Sequence, residues 1–503
     1  MNFLKSLFSA IGGSAYGGKK EQIRTRFAPS PTGFLHIGGL RTALYSYLFA
    51  KQNGGQFILR IEDTDVKRKV EGAEEAIYAG LKWAGIKYDE GPDIGGSYGP
   101  YIQSQRLNIY KKSAEELVKN KHAYYCFCSE KTLEQMREEQ TAKKQIPKYD
   151  RRCCALGEDE IQSKIKAGEP YVIRMKIPDN RVIEVDDMVR GKVLFKTNEL
   201  DDQVILKSDG FPTYHLAVVI DDHLMEISHV TRTEEWLPST PKHILLYEFL
   251  NWPAPKWAHF PLVLNPDKTK MSKRGNDVAL EDYVKKGYLP EAIINFLAFL
   301  GWNPGTDKEI YSIKELLKDF SIDKVHKAGA IFNINKLDWF NGHYLRQLTL
   351  DELANLVIPF LQESKLINNN YDLAYIKKVL FLEQPRLKKL GEIGDRLAFF
   401  FKQPDYQPSL LIWRDMPLKD AAESLKISLK IINEISEFKR DRIEKIFLKE
   451  IEKTENKDKG RLLWPLRVAL TGLKASPGPF EILEILGKKI SMERIEIAIK
   501  KLT

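Results

Sequence analysis

The sequence predicts an α/β protein with a parallel sheet, an α+β insertion in that sheet and an all-α C-terminal region. Three observations predict this architecture. The chain has an early strand-helix-strand pattern, short strand-like runs without a nucleotide signature in its middle, and helical periodicity without strand alternation from Leu350 onward. Because the strands of a βαβ unit are parallel, with a right-handed crossover, the first pattern defines the sheet.

The first βαβ unit spans residues 23–61. Residues 23–28 alternate apolar and polar side chains, as a strand does, and Pro29 and Pro31 prevent a helix from starting there. An apolar face with helical spacing follows at Leu40, Ala43, Leu44, Tyr47 and Leu48. Residues 57–61 are a short apolar run that fits a buried strand.

The junction between the first strand and the helix predicts an anion site. Unpaired N–H groups and the helix dipole favour negative charge at a helix N-terminus. His36 lies there beside Gly38 and Gly39, and the two glycines let a planar group approach the backbone. These features indicate a nucleotide site. The alternative is a core histidine in an ordinary glycine-containing loop.

A downstream basic loop favours the nucleotide interpretation. Residues 270–274, Lys-Met-Ser-Lys-Arg, follow a turn-forming segment, and three cations on such a loop can bind several phosphate oxygens. This loop and the earlier Pro-Ser-Pro-Thr-Gly-Phe-Leu-His-Ile-Gly-Gly segment resemble the two signatures of class I aminoacyl-tRNA synthetases. Residues 61–65, 208–215 and 234–236 are similar in sequence and order to glutamyl-tRNA synthetases.

The resemblance runs from about Arg24 to the C-terminus and implies a fold and a reaction. The fold would be a class I Rossmann-type parallel-sheet catalytic domain, followed by an all-α anticodon-binding region. The reaction would attach L-glutamate to tRNA(Glu) through glutamyl-adenylate, consuming ATP with Mg²⁺ and releasing AMP and pyrophosphate. The expected partners are therefore tRNA(Glu), ATP and L-glutamate, and the expected state is a cytoplasmic monomer.

The resemblance also implies roles for individual residues. The residues that stabilise charge in phosphoryl transfer would be His36, Lys270, Lys273 and Arg274. ATP would bind at His36, Gly38, Gly39 and Lys273. Glutamate would bind at Arg26, Ser30, Glu62, Tyr214 and Arg232. In that pocket Arg26 would hold the side-chain carboxylate and Glu62 the ammonium group. Val218 stands where the family often has Asn, so one hydrogen-bonding side chain is missing.

Six parts are expected along the chain. Residues 1–22 would be a disordered extension, 23–105 and 208–265 the two catalytic halves, 106–207 the insertion for the tRNA acceptor end, 266–345 a stem-contact domain and 346–503 the anticodon-binding region. The alternative for the insertion is a purely structural subdomain. In the second catalytic half, residues 216–220 and 227–231 are predicted strands. Arg386 and Arg467 match segments that contact the anticodon.

Charge and hydropathy narrow the function classes. A net charge of +9 over 503 residues favours a polyanionic partner, although proteins without one can be equally basic. No apolar run approaches the roughly 18 to 20 residues that span a bilayer, so we expect no membrane association. Lys5 interrupts the short apolar N-terminal segment, which argues against a signal peptide. The segment also lacks the arginine that is usual in organellar transit peptides. Organellar import stays open as an alternative.

The cysteines predict a reducing compartment and raise the question of zinc. The four cysteines of the chain are Cys126, Cys128, Cys153 and Cys154, and four thiolates can hold a structural zinc ion. Some glutamyl-tRNA synthetases have a zinc site of Cys-x-Cys and Cys-x-His or Cys-x-Cys type. Here Ala155 occupies the position two after Cys153, so Cys154 would have to supply the fourth ligand. Ordinary reduced cysteines are the alternative.

Three rival functions share parts of this pattern. A small-metabolite nucleotidyltransferase shares the histidine-glycine loop but would not need the helical C-terminal half. A glutaminyl-tRNA synthetase shares the catalytic half, yet its anticodon-binding part is usually rich in strands. A catalytically silent relative would be expected to lack part of one signature, and both are complete in this sequence.

Overall fold

The computed structural model describes residues 22–271, 279–453 and 458–502. The described chain forms two compact units. One contains the residues up to Leu280 together with Ile294–Asn333, and the other contains Glu281–Ile293 and the residues from Ile334 onward. This division does not test the six predicted parts, whose boundaries stay predictions.

The first unit is an α/β fold built on the predicted βαβ unit. Strand β1 (Arg24–Phe27), helix α1 (Ile37–Gln52) and strand β2 (Gln56–Leu59) follow one another, and β1 and β2 are parallel, with Arg26 opposite Ile58. Helix α2 (Ala73–Trp83) comes next. The predicted parallel pairing is therefore confirmed.

The middle of the chain supplies a small sheet and a hairpin. The helices there are α3 (Leu107–Lys119), α4 (Glu130–Ala142) and α5 (Glu158–Lys166), and the strands are β3 (Ala123–Cys126), β4 (Val172–Met175), β5 (Val182–Asp187), β6 (Gly191–Lys196) and β7 (Val204–Leu206). Strands β3, β4 and β7 form an antiparallel sheet. The β5–β6 hairpin instead joins the catalytic sheet, because Asp187 pairs with Trp257.

The second catalytic half begins with a helix where the sequence predicts a strand. Residues 216–220 lie in helix α6 (Tyr214–Leu224), so the strand prediction is wrong. Leu216 and Ile220 are fully buried, and so are the residues between them. A short apolar run that is buried on all sides has no polar face, so its periodicity cannot separate helix from strand.

The rest of this half completes the catalytic sheet. Strands β8 (His229–Thr233) and β9 (Lys256–Phe260) join this sheet, with helix α7 (Thr240–Phe249) between them along the chain. Strand β10 (Val263–Leu264) instead pairs with β11 (Ala330–Ile331) in a separate two-stranded sheet. The order β6-β5-β9-β8 brings β8 and β9 together in parallel. The Ser228 N–H donates to the Arg24 carbonyl, which connects β1 to the chain entering β8. The carboxyl ends of β1 and β8 thus lie at the same edge, where ligands bind in open α/β sheets.

The helices that follow are α8 (Leu280–Lys285), α9 (Pro290–Ala298), α10 (Ile313–Asp319), α11 (Ile334–Gln347), α12 (Leu350–Glu363), α13 (Leu373–Glu383), α14 (Ile393–Phe401), α15 (Leu418–Glu434), α16 (Arg440–Glu452), α17 (Lys459–Thr471) and α18 (Pro479–Leu502). In the second unit α12, α13 and α14 pack together, and α15, α16 and α17 each pack on α18. The prediction of a helical C-terminal region is confirmed. Within the described residues, no helix is long and apolar enough to cross a membrane.

Candidate active site

A cavity of about 980 Å³ opens where β1 and β8 end and α1 begins. The described residues that the sequence predicts for catalysis, ATP and glutamate all line it: Arg26, Ser30, His36, Gly38, Gly39, Glu62, Tyr214, Arg232 and Lys270. The predictions for Lys273 and Arg274 lie outside the described residues. Residues far apart in the sequence therefore meet in a single cavity.

His36 caps the helix that points into this cavity. Its backbone is extended, and its Nδ1 accepts a hydrogen bond from the Gly39 N–H at 3.2 Å. In a neutral imidazole with an accepting Nδ1, the proton resides on Nε2. A Cβ added to Gly38 would lie 3.1 Å from the His36 ring, so glycine leaves room for this ring position. The exposed imidazole thus lies at the positive end of the helix.

Arg26 is paired within the protein, which sequence reasoning did not foresee. Its Nε and Nη2 donate to the two carboxylate oxygens of Asp222 at 3.0 and 3.2 Å, and both side chains are buried. Arg60 also contacts Asp222, at 2.8 Å. Burial alone would raise the pKa of Asp222, but Arg26 and Arg60 together lower it. The charge of Arg26 is therefore already opposed by a carboxylate.

Arg232 is buried just as deeply but has neutral partners only. Its guanidinium lies 5.2 Å from the ring centre of Trp257. Its hydrogen bonds go to His259, the hydroxyl of Tyr214, His243, the Trp236 carbonyl and the hydroxyl of Thr240. Burial lowers the pKa of Arg232, with Arg26 adding to the effect and Tyr214 opposing it. None of the ion pairs between described residues includes Arg232.

The ion pairs beneath the cavity support the distinction between the two arginines. Three arginines pair with three carboxylates beneath the cavity: Arg26, Arg60 and Arg106 with Glu62, Asp221 and Asp222. The charges within this group balance one another, whereas no carboxylate of the described residues contacts Arg232. A buried charge without a counter-ion is costly unless a ligand neutralises it. The site therefore suits a ligand group with a negative charge.

Glu62 and Tyr214 complete this part of the cavity. Arg60 donates to Glu62 at 3.0 Å, and burial raises the pKa of Glu62, an effect that Arg60 and Arg26 partly offset. The Tyr214 hydroxyl accepts from Arg232 at 3.1 Å, and its ring packs on Trp236. At the cavity mouth, exposed Lys270 forms an ion pair with Glu235.

Sequence reasoning missed the acidic partners of the site. Asp221 and Asp222 belong to α6 and directly follow residues 216–220, which the sequence predicts as a strand. Two adjacent carboxylates at the end of a fully apolar run were the available signal. Val218 is 1% exposed in the apolar core and is not among the residues that line the cavity.

Three of the four cysteines come together in the middle of the chain. The Sγ atoms of Cys126, Cys128 and Cys153 lie within 4.8 Å of one another, and Cys154 is not part of this group. The Tyr149 hydroxyl lies 3.3 Å from Cys126 Sγ and 3.4 Å from Cys128 Sγ. Three thiol groups thus converge around one phenol oxygen, and cysteine thiolates are the ligands of many tetrahedral zinc sites.

The two predicted anticodon residues lie in the second unit. Arg386 donates to Glu383 at 3.2 Å. Burial lowers the pKa of Arg467, and the neighbouring charge of Arg386 adds to the effect. Arg467 Nε is buried without a hydrogen-bond partner within the described chain. Two like charges close together favour an anionic or hydrogen-bond-accepting partner.

A parallel α/β sheet, a His-Ile-Gly-Gly helix start and a lysine-bearing loop beside one cavity define the class I aminoacyl-tRNA synthetases. Comparison with known proteins agrees. The family model described as tRNA synthetases class I (E and Q), catalytic domain, matches residues 22–339, and one described as anticodon binding domain matches residues 352–499. The chain belongs to the family of class I tRNA synthetases for E and Q.

Individual relatives are similar over nearly the full length. The glutamate–tRNA ligase of Alkaliphilus metalliredigens is 46% identical over 491 residues, covering 95% of this chain and 98% of the relative. That of Chlorobaculum parvum is 45% identical over 96% and 99%. The crystal structure of a glutamate tRNA ligase from Elizabethkingia meningosepticum, in complex with its amino acid, has a TM-score of 0.85 and 40% identity, covering 96% and 100%.

Proposed function

We propose that the protein attaches L-glutamate to tRNA(Glu) at the expense of ATP. The observation that carries this proposal is the buried guanidinium of Arg232, which no carboxylate of the described residues contacts, in the same cavity as His36 and its helix N-terminus. A buried arginine that contacts no protein carboxylate favours an amino acid with a second carboxylate over one with a neutral side chain. The full-length similarity to glutamate–tRNA ligases supports the same substrate.

The reaction has two steps. In the first, the α-carboxylate of glutamate attacks the α-phosphorus of ATP, which enters as its Mg²⁺ complex, and pyrophosphate leaves. In the second, a terminal ribose hydroxyl of the tRNA attacks the carbonyl of glutamyl-adenylate, and AMP leaves. Neither step requires a protein nucleophile, so catalysis rests on positioning and charge stabilisation.

We assign the glutamate side chain to Arg232 rather than to Arg26. Arg232 and the Tyr214 hydroxyl would hold the side-chain carboxylate, and Glu62 would pair with the ammonium group. Arg26 would act indirectly, because its bidentate pairing keeps Asp222 in place. Ser30 is exposed at the cavity and would contact the outer part of the substrate.

The ATP subsite would lie at the start of α1. His36 would donate from Nε2 to a phosphate oxygen, while Gly38 and Gly39 allow close approach to the backbone. Lys270 would exchange Glu235 for phosphate, joined by Lys273 and Arg274 of the same loop. Removing one such donor typically costs roughly 3 to 4 kcal/mol in the transition state.

The remaining parts of the chain would bind tRNA. Residues 106–207 would hold the acceptor end, 266–345 the stem and 346–503 the anticodon. Arg386 and Arg467, with their adjacent like charges, are the proposed anticodon contacts. We further propose that the protein works in the cytoplasm and is a monomer. For a monomer, light scattering should give a mass near 57.9 kDa.

The test is aminoacylation with purified tRNA(Glu) and tRNA(Gln). We expect glutamate to be attached to tRNA(Glu), with glutamine a poor substrate, and glutamate-dependent ATP–pyrophosphate exchange to require tRNA. ATP–pyrophosphate exchange that depends on an unrelated metabolite and does not require tRNA would instead indicate a nucleotidyltransferase. The absence of both exchange and charging would contradict the proposed function.

We also propose a structural zinc ion at the cysteine cluster. Cys126, Cys128 and Cys153 would supply thiolates, and Tyr149 rather than Cys154 faces the fourth position. Protein purified without chelator should contain about one zinc per chain by elemental analysis. Cys128→Ala should lose the metal, whereas the matched variant Cys154→Ala should keep it. Equal zinc loss in both variants, or no zinc in the unaltered protein, would contradict this site.

A further inference from the structure

Two histidines support Arg232 from the side facing away from the cavity. Arg232 Nε donates to His259 Nε2 at 3.0 Å, and its Nη1 lies 3.3 Å from His243 Nδ1. A guanidinium has donors only, so each imidazole must offer a lone pair to it. Neither histidine lines the cavity, and both are almost completely buried.

A second partner fixes the tautomer of each histidine. His259 Nδ1 lies 2.5 Å from an oxygen of Asp187, so its proton resides on Nδ1 and points at that carboxylate. His243 Nε2 lies 3.0 Å from His215 Nδ1, so its proton resides on Nε2 and is donated to His215. Both imidazoles are therefore neutral hydrogen-bond acceptors towards Arg232.

The electrostatics of the surroundings keep the two imidazoles neutral. Burial lowers the pKa of His243, and the charge of Arg232 lowers it further. Burial also lowers the pKa of His259, which Asp187 opposes and Arg232 reinforces. A positive charge on either ring would face the Arg232 guanidinium at hydrogen-bonding distance.

Neutral acceptors have an electrostatic consequence that a carboxylate would not have. Asp222 satisfies the hydrogen bonds of Arg26 and cancels its charge at the same time. His243 and His259 satisfy hydrogen bonds of Arg232 but add no negative charge. The nearest carboxylate on this side, Asp187, is separated from Arg232 by the His259 ring, so a ligand carboxylate can make the direct ion pair that Arg232 lacks within the described chain.

We propose that His243 and His259 are specificity-determining positioning residues, which hold Arg232 in place without neutralising it and so favour a carboxylate over an amide side chain. This inference rests on the proposed function. Asp187 and His215 extend the same role, since they set the tautomers that Arg232 requires.

The main experiment compares His243→Gln with His243→Glu. Both new side chains can accept from Arg232, but only glutamate adds a charge that cancels it. We expect kcat/KM for glutamate to be at least about tenfold lower in His243→Glu than in His243→Gln. The preference for glutamate over glutamine should fall in parallel, chiefly through the KM for the amino acid. The KM for ATP should differ little between the two variants.

His223→Gln is the matched control. His223 is a partly buried histidine that stacks on Trp252 and is not among the hydrogen-bond partners of Arg232. Its replacement should therefore leave kcat/KM for glutamate and the KM for ATP unchanged. Equal amino-acid kinetics in His243→Gln and His243→Glu would overturn the inference. Failure of the unaltered protein to charge tRNA with glutamate would overturn the proposed function instead.

A second pair keeps the test decisive if His243→Glu does not fold. His259→Gln retains an acceptor for Arg232 Nε, whereas His259→Leu removes it without adding charge. We expect the KM for glutamate to rise at least about threefold more in His259→Leu, with partial rescue in His259→Gln. Identical glutamate KM values in two folded His259 variants, checked by thermal unfolding, would contradict the positioning role.

Discussion

At the scale of single residues, two arginines that line the cavity differ in the groups that accept their hydrogen bonds. Arg26 faces Asp222 through two hydrogen bonds, whereas Arg232 faces imidazole, hydroxyl and carbonyl acceptors. The sequence resemblance makes Arg26 the stronger candidate for the substrate carboxylate. The buried pairing of Arg26 favours Arg232 for that role, because no carboxylate of the described residues contacts Arg232.

Arg232→Ala should therefore weaken selection for glutamate. The substrate carboxylate would lose its charged partner, at a cost of about 2 to 5 kcal/mol in kcat/KM for glutamate. Glutamine would lose less, so the ratio of the two kcat/KM values should fall in charging assays. Arg181→Ala, which removes an exposed arginine paired with Glu248, is the control. An unchanged ratio in Arg232→Ala would contradict the assignment.

Arg26→Ala should act mainly on stability. Asp222 would keep Arg60 but lose its bidentate partner, and breaking a buried pair typically costs about 3 kcal/mol or more of the free energy of unfolding. Urea denaturation followed by tryptophan fluorescence measures this loss. Unchanged stability together with acceptance of glutamine would restore the sequence-based role of Arg26.

Sequence reasoning at this scale identified residues but not their partners. The signature segments gave His36, Glu62 and Arg232, since their spacing is local and their chemistry is specific. The pairing of Arg26 with Asp222 joins positions 196 residues apart. Such a contact depends on how the fold places β1 relative to α6, which no local pattern encodes.

At the scale of elements, the most informative prediction was the βαβ unit and the least reliable was the strand at 216–220. The former contains alternating apolar and polar residues at 23–28, glycine turns and helix spacing, so its period is defined. The latter is the buried centre of α6, where every side chain is apolar. The β5–β6 hairpin belongs to the strand-like runs that the sequence shows in the middle of the chain, but its pairing with β9 through Asp187 is a long-range contact that required the structure.

The turn between α1 and β2 gives a prediction at this scale. A Cβ on Gly55 would lie 2.1 Å from the Ile23 carbonyl oxygen, which is backbone and cannot rotate away. Gly55→Ala should therefore separate β1 from β2 and lower the free energy of unfolding by about 3 kcal/mol. Gly157→Ala, where a Cβ meets no atom within 4 Å, should change stability little. Similar denaturation midpoints for the two variants would contradict this packing argument.

At the scale of the whole molecule, the helical C-terminal region was predictable because its apolar spacing repeats over many turns. The division into two compact units was not, since Glu281–Ile293 joins the second unit while Ile294–Asn333 belongs to the first. A chain that leaves a unit and returns to it has no compositional boundary to detect.

Buried neutral histidines make the stability of the protein depend on pH. The pKa values of His243 and His259 are lowered in the folded state from 6.5, so the unfolded chain binds more protons below that pH. Stability should therefore fall as the pH drops below 6.5, by about 1 kcal/mol for each histidine over one pH unit. Urea denaturation at pH 6.5 and at one pH unit below it measures this change in the free energy of unfolding.

The matched variant for the pH experiment is His243→Gln. This variant should lose about 1 kcal/mol less of its free energy of unfolding over that pH interval, which is about half of the loss that the two histidines cause together. Carboxylates are common to both proteins, so the difference between the two pH profiles isolates the histidine. Superimposable profiles would contradict a neutral, buried His243.

The Asp187–His259 hydrogen bond has a consequence for protein engineering. Asp187 belongs to the β5–β6 hairpin, whereas His259 belongs to the catalytic strand β9. A chimaera that exchanges residues 106–207 with those of a relative would also exchange Asp187, and with it the support of Arg232. Graft boundaries that leave Val182–Asp187 and Gly191–Lys196 with the recipient would preserve amino-acid choice while the rest of the insertion is replaced.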